Sequence, residues 1–143
     1  MSTATTTPPA DPAATVRHYL ECFNQGNPKA VAAVCADPMS ILDGMAPHVW
    51  HGPTATEEWY RDAMIEAEHL SVTNYSVTLG EPKHNDITGD SAYVVFPATM
   101  SFKLQGMGIT QTGAYFTAAL RKIDDAWRIV SWGWAKGAAK PDA

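Results

Sequence analysis

Charge is scarce in this sequence. Asp, Glu, Lys and Arg make up 17% of its 143 residues, below the roughly 25% usual for a soluble domain. Part of the exterior is therefore expected to be covered by a ligand or a second subunit. Basic residues are the scarcer sign, 10 Lys and Arg against 15 Asp and Glu, for a net charge of −5. Without a basic field to draw a phosphate backbone or an anionic bilayer, neither nucleic acid nor membrane is expected as a partner. Cysteine is limited to Cys22 and Cys35. They fall in two different predicted helices with no sign of secretion, which reads as two reduced core thiols. Long apolar runs are missing, and Met1 to Ala10 is Ser/Thr/Ala/Pro without a basic start. That composition predicts no signal peptide and no spanning helix, hence a cytoplasmic protein in which the Asn74-Tyr75-Ser76 acceptor goes unused. No Gly-rich phosphate loop precedes a helix, no nucleophile elbow occurs, and Gly106-Met107-Gly108 reads as a turn. Nucleotide cofactors and hydrolase triads are unsupported, and no cofactor is expected.

What is present fits one domain with one core, since 143 residues with 45% hydrophobic content lie near the commonest domain size. Asp11-Pro12 gives a cap-plus-proline start, and Val16, Tyr19, Leu20 and Phe23 recur at helical spacing up to Gly26. Asn27-Pro28 repeats the start, with Ala30, Val31, Val34 and Cys35 in a short second helix that Asp37-Pro38 ends. Met39 to Asp43 is extended and leads into a loop holding Met45, Pro47, His48, Trp50, His51 and Gly52-Pro53. Thr54 with Glu57 is a capping box for a third helix, whose face carries Trp59, Tyr60, Ala63, Met64, Ala67 and Leu70. His69 sits near its C-terminal end, where the macrodipole favours it.

After Leu70 the period changes from helical to alternating. Tyr75, Val77 and Leu79 mark one strand; Ala92 to Leu104 marks a longer one in which Pro97 suggests a bulge or an edge. A strand over Ile109 to Lys122 turns at Asp124-Asp125 into a last one, Trp127 to Lys136, with Ile129 on one face and Val130, Trp132 and Trp134 on the other. Helices first and an antiparallel meander afterwards predict an α+β fold over residues 11–137. Residues 1–10 and 138–143 have the composition of disordered tails.

This order of elements, with its excursion from Pro38 to Gly52, resembles the nuclear transport factor 2-like superfamily, particularly ketosteroid isomerase and the SnoaL-like cyclases. The resemblance covers about Val16 to Gly137. It implies three N-terminal helices on a curved antiparallel sheet, forming a cone-shaped barrel around an apolar pocket. Tyr19, in Arg17-His18-Tyr19 followed by Asn24-Gln25-Gly26, is placed by it at the helix-one tyrosine that donates to the substrate oxygen. Asp43, closing Ile41-Leu42-Asp43, is placed at the general base. Glu58-Trp59-Tyr60 is similar to the family's Glu-Phe-Tyr, Thr99-Met100-Ser101-Phe102 to a pocket strand, and Trp132 and Trp134 to pocket positions on the last strand. The sequence departs from both enzyme types in one respect: no Asp or Glu stands between Asp90 and Asp124, where the resemblance implies a second acid for the isomerase and a late-strand base for the cyclases, and Thr117 offers only a hydroxyl.

Read on their own chemistry, the candidates keep alternatives open. Asp43 shares strand parity with Met39 and Ile41, so its carboxylate faces the core if they do, and loss of water would make it a usable base. Asp43-Gly44 equally suits the start of a turn. Tyr19 lies on the apolar stripe of helix one, as a hydroxyl donor or as core packing. His48 is a candidate proton carrier at the pocket rim or a plain loop residue. His48 and His51, with Asp43 the only nearby carboxylate, fall short of a metal site, and none is expected. Trp50, Trp59, Tyr60, Met64, Met100, Phe102, Trp132 and Trp134 are expected to line a wall for a flat apolar ligand, or else to be ordinary core. The leading expectation is a cofactor-free isomerase, cyclase or dehydratase acting on an apolar carbonyl compound, with Asp43 as base, Tyr19 as donor and a homodimer formed through the outer sheet face. A non-catalytic binder of the same ligand and a dimeric interaction module are the alternatives.

Overall fold

The computed structural model describes residues 11–142. The chain starts as the sequence predicts. Asp11 caps α1 (Pro12–Asn24), its Oδ1 accepting from the Ala14 N–H at 2.8 Å, which satisfies one of the donors a helix start leaves free. Asn27 caps α2 (Pro28–Ala33) in the same way. This helix is shorter than expected. Cys35 is not helical but opens β1 (Cys35–Leu42), so Asp37-Pro38 lies within a strand rather than terminating a helix. The following excursion contains β2 (Val49–Gly52), antiparallel to β1. Thr54 is the N-cap of α3 (Ala55–Leu70), but the capping box is not made: its hydroxyl donates to Glu58 instead of capping the helix.

Six further strands complete one sheet: β3 (Val72–Leu79), β4 (His84–Thr88), β5 (Ser91–Leu104), β6 (Met107–Ile123), β7 (Ala126–Ala135) and β8 (Ala138–Pro141). Their order is β2-β1-β7-β6-β5-β3, with β4 also on β5 and β8 on β6. β5, β6 and β7 form the expected antiparallel meander, whereas β1 runs parallel to β7. The sheet is thus mixed, not wholly antiparallel, and it stays open between β2 and β3. Pro97 lies where β3 gives way to β4 along β5, and the β5–β6 register slips just beyond it, between Ala98 and Met100.

Two further departures lie in the C-terminal strands. In β7 the register slips at Val130, so that Leu120 pairs Ile129 and Ala119 pairs Ser131. The extra residue reverses the alternation, which puts Trp127, Ile129 and Trp132 all in the core. Ile129 and Trp132 were expected on opposite faces. The second concerns 138–143: β8 continues past the end of β7 along β6, pairing Thr112 with Ala138 and Ile109 with Pro141. Ordered strand therefore replaces the expected tail over 138–141. The N-terminal tail, 1–10, lies outside the described residues.

The helices close one side of the sheet. Val16, Tyr19 and Leu20 from α1, Val31 from α2 and Trp59 from α3 meet Ile41, Phe116, Leu120, Ile129 and Trp132 in one buried cluster. Asn24 fastens α1 to the bulged start of β3, its amide donating to the Val77 carbonyl and accepting from the Val77 N–H, both at 2.8 Å. Among the described residues no helix is long and apolar enough to cross a membrane. Both cysteines are free and buried.

Burial pushes the Cys35 thiol from 9.0 up to about 12, partly offset by the Thr56 hydroxyl. A folded pKa above the unfolded one gives a contribution that is complete below pH 9 and disappears as pH climbs from there toward 12. Between pH 8 and pH 10 the native state is expected to lose roughly 1 kcal/mol through this group. Urea titrations at the two pH values check it, because Cys35→Ala is expected to lose correspondingly less over the interval than the parent.

Candidate functional site

Between α1, α3 and the concave face of the sheet lies a cavity of about 260 Å³. Its floor is a group of rings in mutual contact. Phe116 and Trp132 stack at 5.1 Å, Trp59 meets Trp132 edge-on at 5.0 Å, and Tyr19 lies 5.9 Å from Phe116 and 6.1 Å from Trp132. Phe23 and Tyr75 extend the wall toward the rim. The exposed side chains of Glu66, Leu70 and Lys136 form that rim.

Asp43 stands on the cavity wall one residue beyond the end of β1, and both readings of it hold at once. Its backbone does start a turn, with the Asp43 N–H donating to the His48 carbonyl at 3.0 Å. Its side chain faces the cavity, where Oδ2 accepts from Trp59 Nε1 at 2.8 Å and Oδ1 from the Gly44 N–H at 2.7 Å. The indole bond fixes the rotamer from α3. Each carboxylate oxygen has a second lone pair, so the anion can still take up a proton from the cavity side.

Tyr19 is 1% exposed. Burial drives its pKa well above the ordinary tyrosine value, and the Cys35 thiol pushes the same way; the nearby Trp132 indole N–H works against them, and the charge of Asp43 adds to them. The group is consequently a neutral O–H donor across the physiological pH range. The Tyr19 hydroxyl and Trp132 Nε1 are both buried and lie against each other, with no hydrogen bond to any other described residue. Burial with the polar groups Glu66 and Asp43 nearby also raises the Tyr75 pKa.

Of the residues singled out from sequence, Tyr19, Asp43, Trp59, Met100, Trp132 and Trp134 converge on the cavity. The others do not. His48 is exposed, its Nδ1 3.2 Å from the Asp43 carbonyl oxygen and its backbone at φ 78°, so it turns away behind the loop. Trp50 is buried outside the cavity and donates to Asp62 Oδ2 at 2.9 Å. Tyr60 stacks edge-on behind Phe23 and Trp59, Phe102 packs on Tyr75, and Met64 is 39% exposed on α3. The sequence reading missed Phe23, Tyr75, Gln111, Phe116 and Lys136. Phe116 alternates with Ala114 and Ala118 on β6, a parity that could have marked it. Gln111 depends on a long-range contact: its Oε1 accepts from Trp134 Nε1 and from the Gly137 N–H, both at 3.0 Å. Among the described residues no three His, Cys, Asp or Glu side chains gather as a metal site.

The SnoaL-like domain family matches over residues 13–134. No curated protein matches in sequence. Solved structures similar to this chain include a hexachlorocyclohexane dehydrochlorinase from Novosphingobium barchaimii, at TM-score 0.75 and 11% identity, covering 92% of this chain and 90% of that one. A ketosteroid isomerase-like protein from Erwinia carotovora atroseptica superposes at TM-score 0.69 and 19% identity over 89% of this chain and 94% of its own. A nuclear transport factor 2-like superfamily protein from Salmonella enterica does so at 0.72 and 17%, over 87% of each chain.

Proposed function

Since this chain belongs to the SnoaL-like domain family, within the nuclear transport factor 2-like superfamily, we propose that it is an enzyme of cofactor-free proton transfer acting on a compact apolar carbonyl compound. One observation carries the reading: a carboxylate, Asp43, is held by Trp59 on the wall of an aromatic cavity that Tyr19 also lines. In the step envisaged, Asp43 takes a proton from the carbon beside the carbonyl. The electron pair of that C–H bond moves into the new carbon–carbon double bond, and the carbonyl oxygen gains the charge, stabilised by the Tyr19 O–H. Return of the proton to a different carbon would isomerise the substrate; departure of a group from the neighbouring carbon would make the reaction an elimination. Similarity of fold to a dehydrochlorinase and an isomerase-like protein agrees with both outcomes but selects neither.

At about 260 Å³ the cavity is near the roughly 300 Å³ lower end for small-molecule sites, which favours a ligand of about two fused rings. The two-ring ketone 2-tetralone is a suitable probe. Deuterium incorporation at its carbon next to the carbonyl, followed by proton NMR in D₂O, is expected to exceed the buffer rate when the protein is added. A rate equal to buffer would end the catalytic reading and leave the cavity as a binding site.

A further inference from the structure

We infer that Gln111 reads a second oxygen of the ligand: its side-chain NH₂ is a fixed donor on the cavity wall, and the ligand carries a neutral acceptor, a carbonyl or ether oxygen, at the point that meets it. The inference rests on the proposed use of the cavity for the ligand class, but it concerns neither Asp43 nor Tyr19. Gln111 is 9% exposed and lines the cavity. One end of its amide lies 3.0 Å from both Trp134 Nε1 and the Gly137 nitrogen. An indole N–H and a backbone N–H can only donate, so the atom they share is the amide oxygen, and the NH₂ group points away from them. Among the described residues nothing accepts from that nitrogen, yet it is not one of the sealed polar atoms, which are Tyr19 Oη, Thr56 Oγ1 and Trp132 Nε1. The Gln111 donor is therefore open to the cavity, where the Tyr19 and Trp132 groups are closed off.

The sheet holds this donor in place before any ligand arrives. On β6 Gln111 is flanked by Met100 of β5 and Ala139 of β8, and the two bonds to its oxygen fix the plane of the amide. A long side chain that would lose rotamer freedom on binding has already lost it on folding. The neighbouring side chains make no use of the NH₂ group, since Met100 is apolar and the Trp134 N–H is committed to the amide oxygen. A water on the donor needs several polar partners to be held well, so a ligand oxygen displaces it at little loss and brings apolar surface with it. Charge then selects among acceptors. Asp43 and Glu66 line the same cavity, and the only cation on the lining, Lys136, is exposed at the rim. A ligand carboxylate would meet two like charges against one solvent-screened cation. A neutral oxygen accepts the same bond without that repulsion, which narrows the ligand from a two-ring ketone to one bearing a second oxygen on its rings.

The test uses 2-tetralones that carry a methoxy group at each position of the aromatic ring in turn, each beside its ethyl counterpart, which has the same shape without the oxygen. Affinities are measured by isothermal titration of the full chain and of two variants. Gln111→Glu keeps an acceptor for Trp134 and Gly137 and replaces the donor nitrogen by oxygen; Gln111→Met removes the donor without adding charge. At one ring position the parent is expected to prefer methoxy to ethyl, and both substitutions to lower that ratio of affinities about three- to tenfold. A second readout is independent of how the variants fold. The Gln111 side-chain NH₂ pair in ¹H–¹⁵N spectra of the parent, identified by its loss in the variants, is expected to move downfield with the preferred methoxy compound and much less with its ethyl counterpart. A parent that prefers no methoxy compound, a preference that survives both substitutions, or an NH₂ pair indifferent to the methoxy oxygen would overturn the inference. Those outcomes are separable from the proton-transfer reading, which is followed by deuterium exchange into unsubstituted 2-tetralone. Exchange without discrimination between methoxy and ethyl removes only the role of Gln111, and discrimination without exchange removes only the catalysis.

Discussion

Replacing Asp43 by Asn is expected to lower the rate of deuterium exchange into 2-tetralone by about 100-fold or more, the usual scale for losing a general base, while affinity for the ketone changes little. Asn is the informative replacement because its amide oxygen can still accept from Trp59 Nε1, the bond that sets the rotamer. Ala would remove that acceptor and leave a further buried indole N–H unsatisfied, which confounds a loss of base with a loss of packing. Affinity can be followed by tryptophan fluorescence, since Trp59, Trp132 and Trp134 all line the cavity. Full exchange activity in Asp43→Asn would mean that some other group removes the proton, and the assignment of this carboxylate would fall.

The helices and the meander were legible because their signals are local. Asp11-Pro12 and Asn27-Pro28 are caps written in adjacent residues, and the alternation from Ala92 to Leu104 needs no knowledge of neighbouring strands. Tyr19 and Asp43 were reachable for the same reason: one lies on a helical stripe, the other two residues beyond Ile41 at the end of a strand. What could not be read depends on pairing. The parallel union of β1 with β7 joins segments some ninety residues apart in sequence, as the partners Ile41 and Trp132 show. The bulge at Val130 is an effect of register, and register is set by the whole sheet. Trp50 and Trp132 are equally aromatic in sequence, and only the fold shows that the first is bonded to Asp62 outside the cavity while the second lies on its floor against Tyr19 and Phe116. His48 looked promising beside Asp43 in the chain, but the intervening turn sends its side chain outward.

The C-terminal segment lies at the limit of that legibility, and it makes Gly137 the position where one added methyl group is expected to have the largest structural effect. β8 carries small and polar residues, all exposed, so its sequence has no apolar alternation to read. Its order comes from backbone pairing with β6 and from a crossing at Gly137. A Cβ on Gly137 would lie 1.9 Å from the Thr112 carbonyl oxygen and 2.7 Å from the Ala114 nitrogen. Both are backbone atoms, at the bulge where Gly113 takes φ +76°, so neither can step aside as a side chain does. Gly137→Ala is expected to destabilise the protein by about 1–3 kcal/mol and to detach β8. Hydrogen exchange would then show the Ala138 to Lys140 amides losing their protection while those of β5 keep theirs. Because the Gly137 N–H shares Gln111 Oε1 with the Trp134 indole, the displacement should reach the cavity and weaken 2-tetralone binding as well. Gly44→Ala is the matching control. The three atoms nearest to a Cβ there all belong to the Lys136 side chain, the closest being its Cε, a flexible tip that can swing into solvent, so protection of β8 should survive. Protection retained in Gly137→Ala would show that the crossing has room the geometry does not reveal, and that the end of the chain is held to the site by β8 pairing alone.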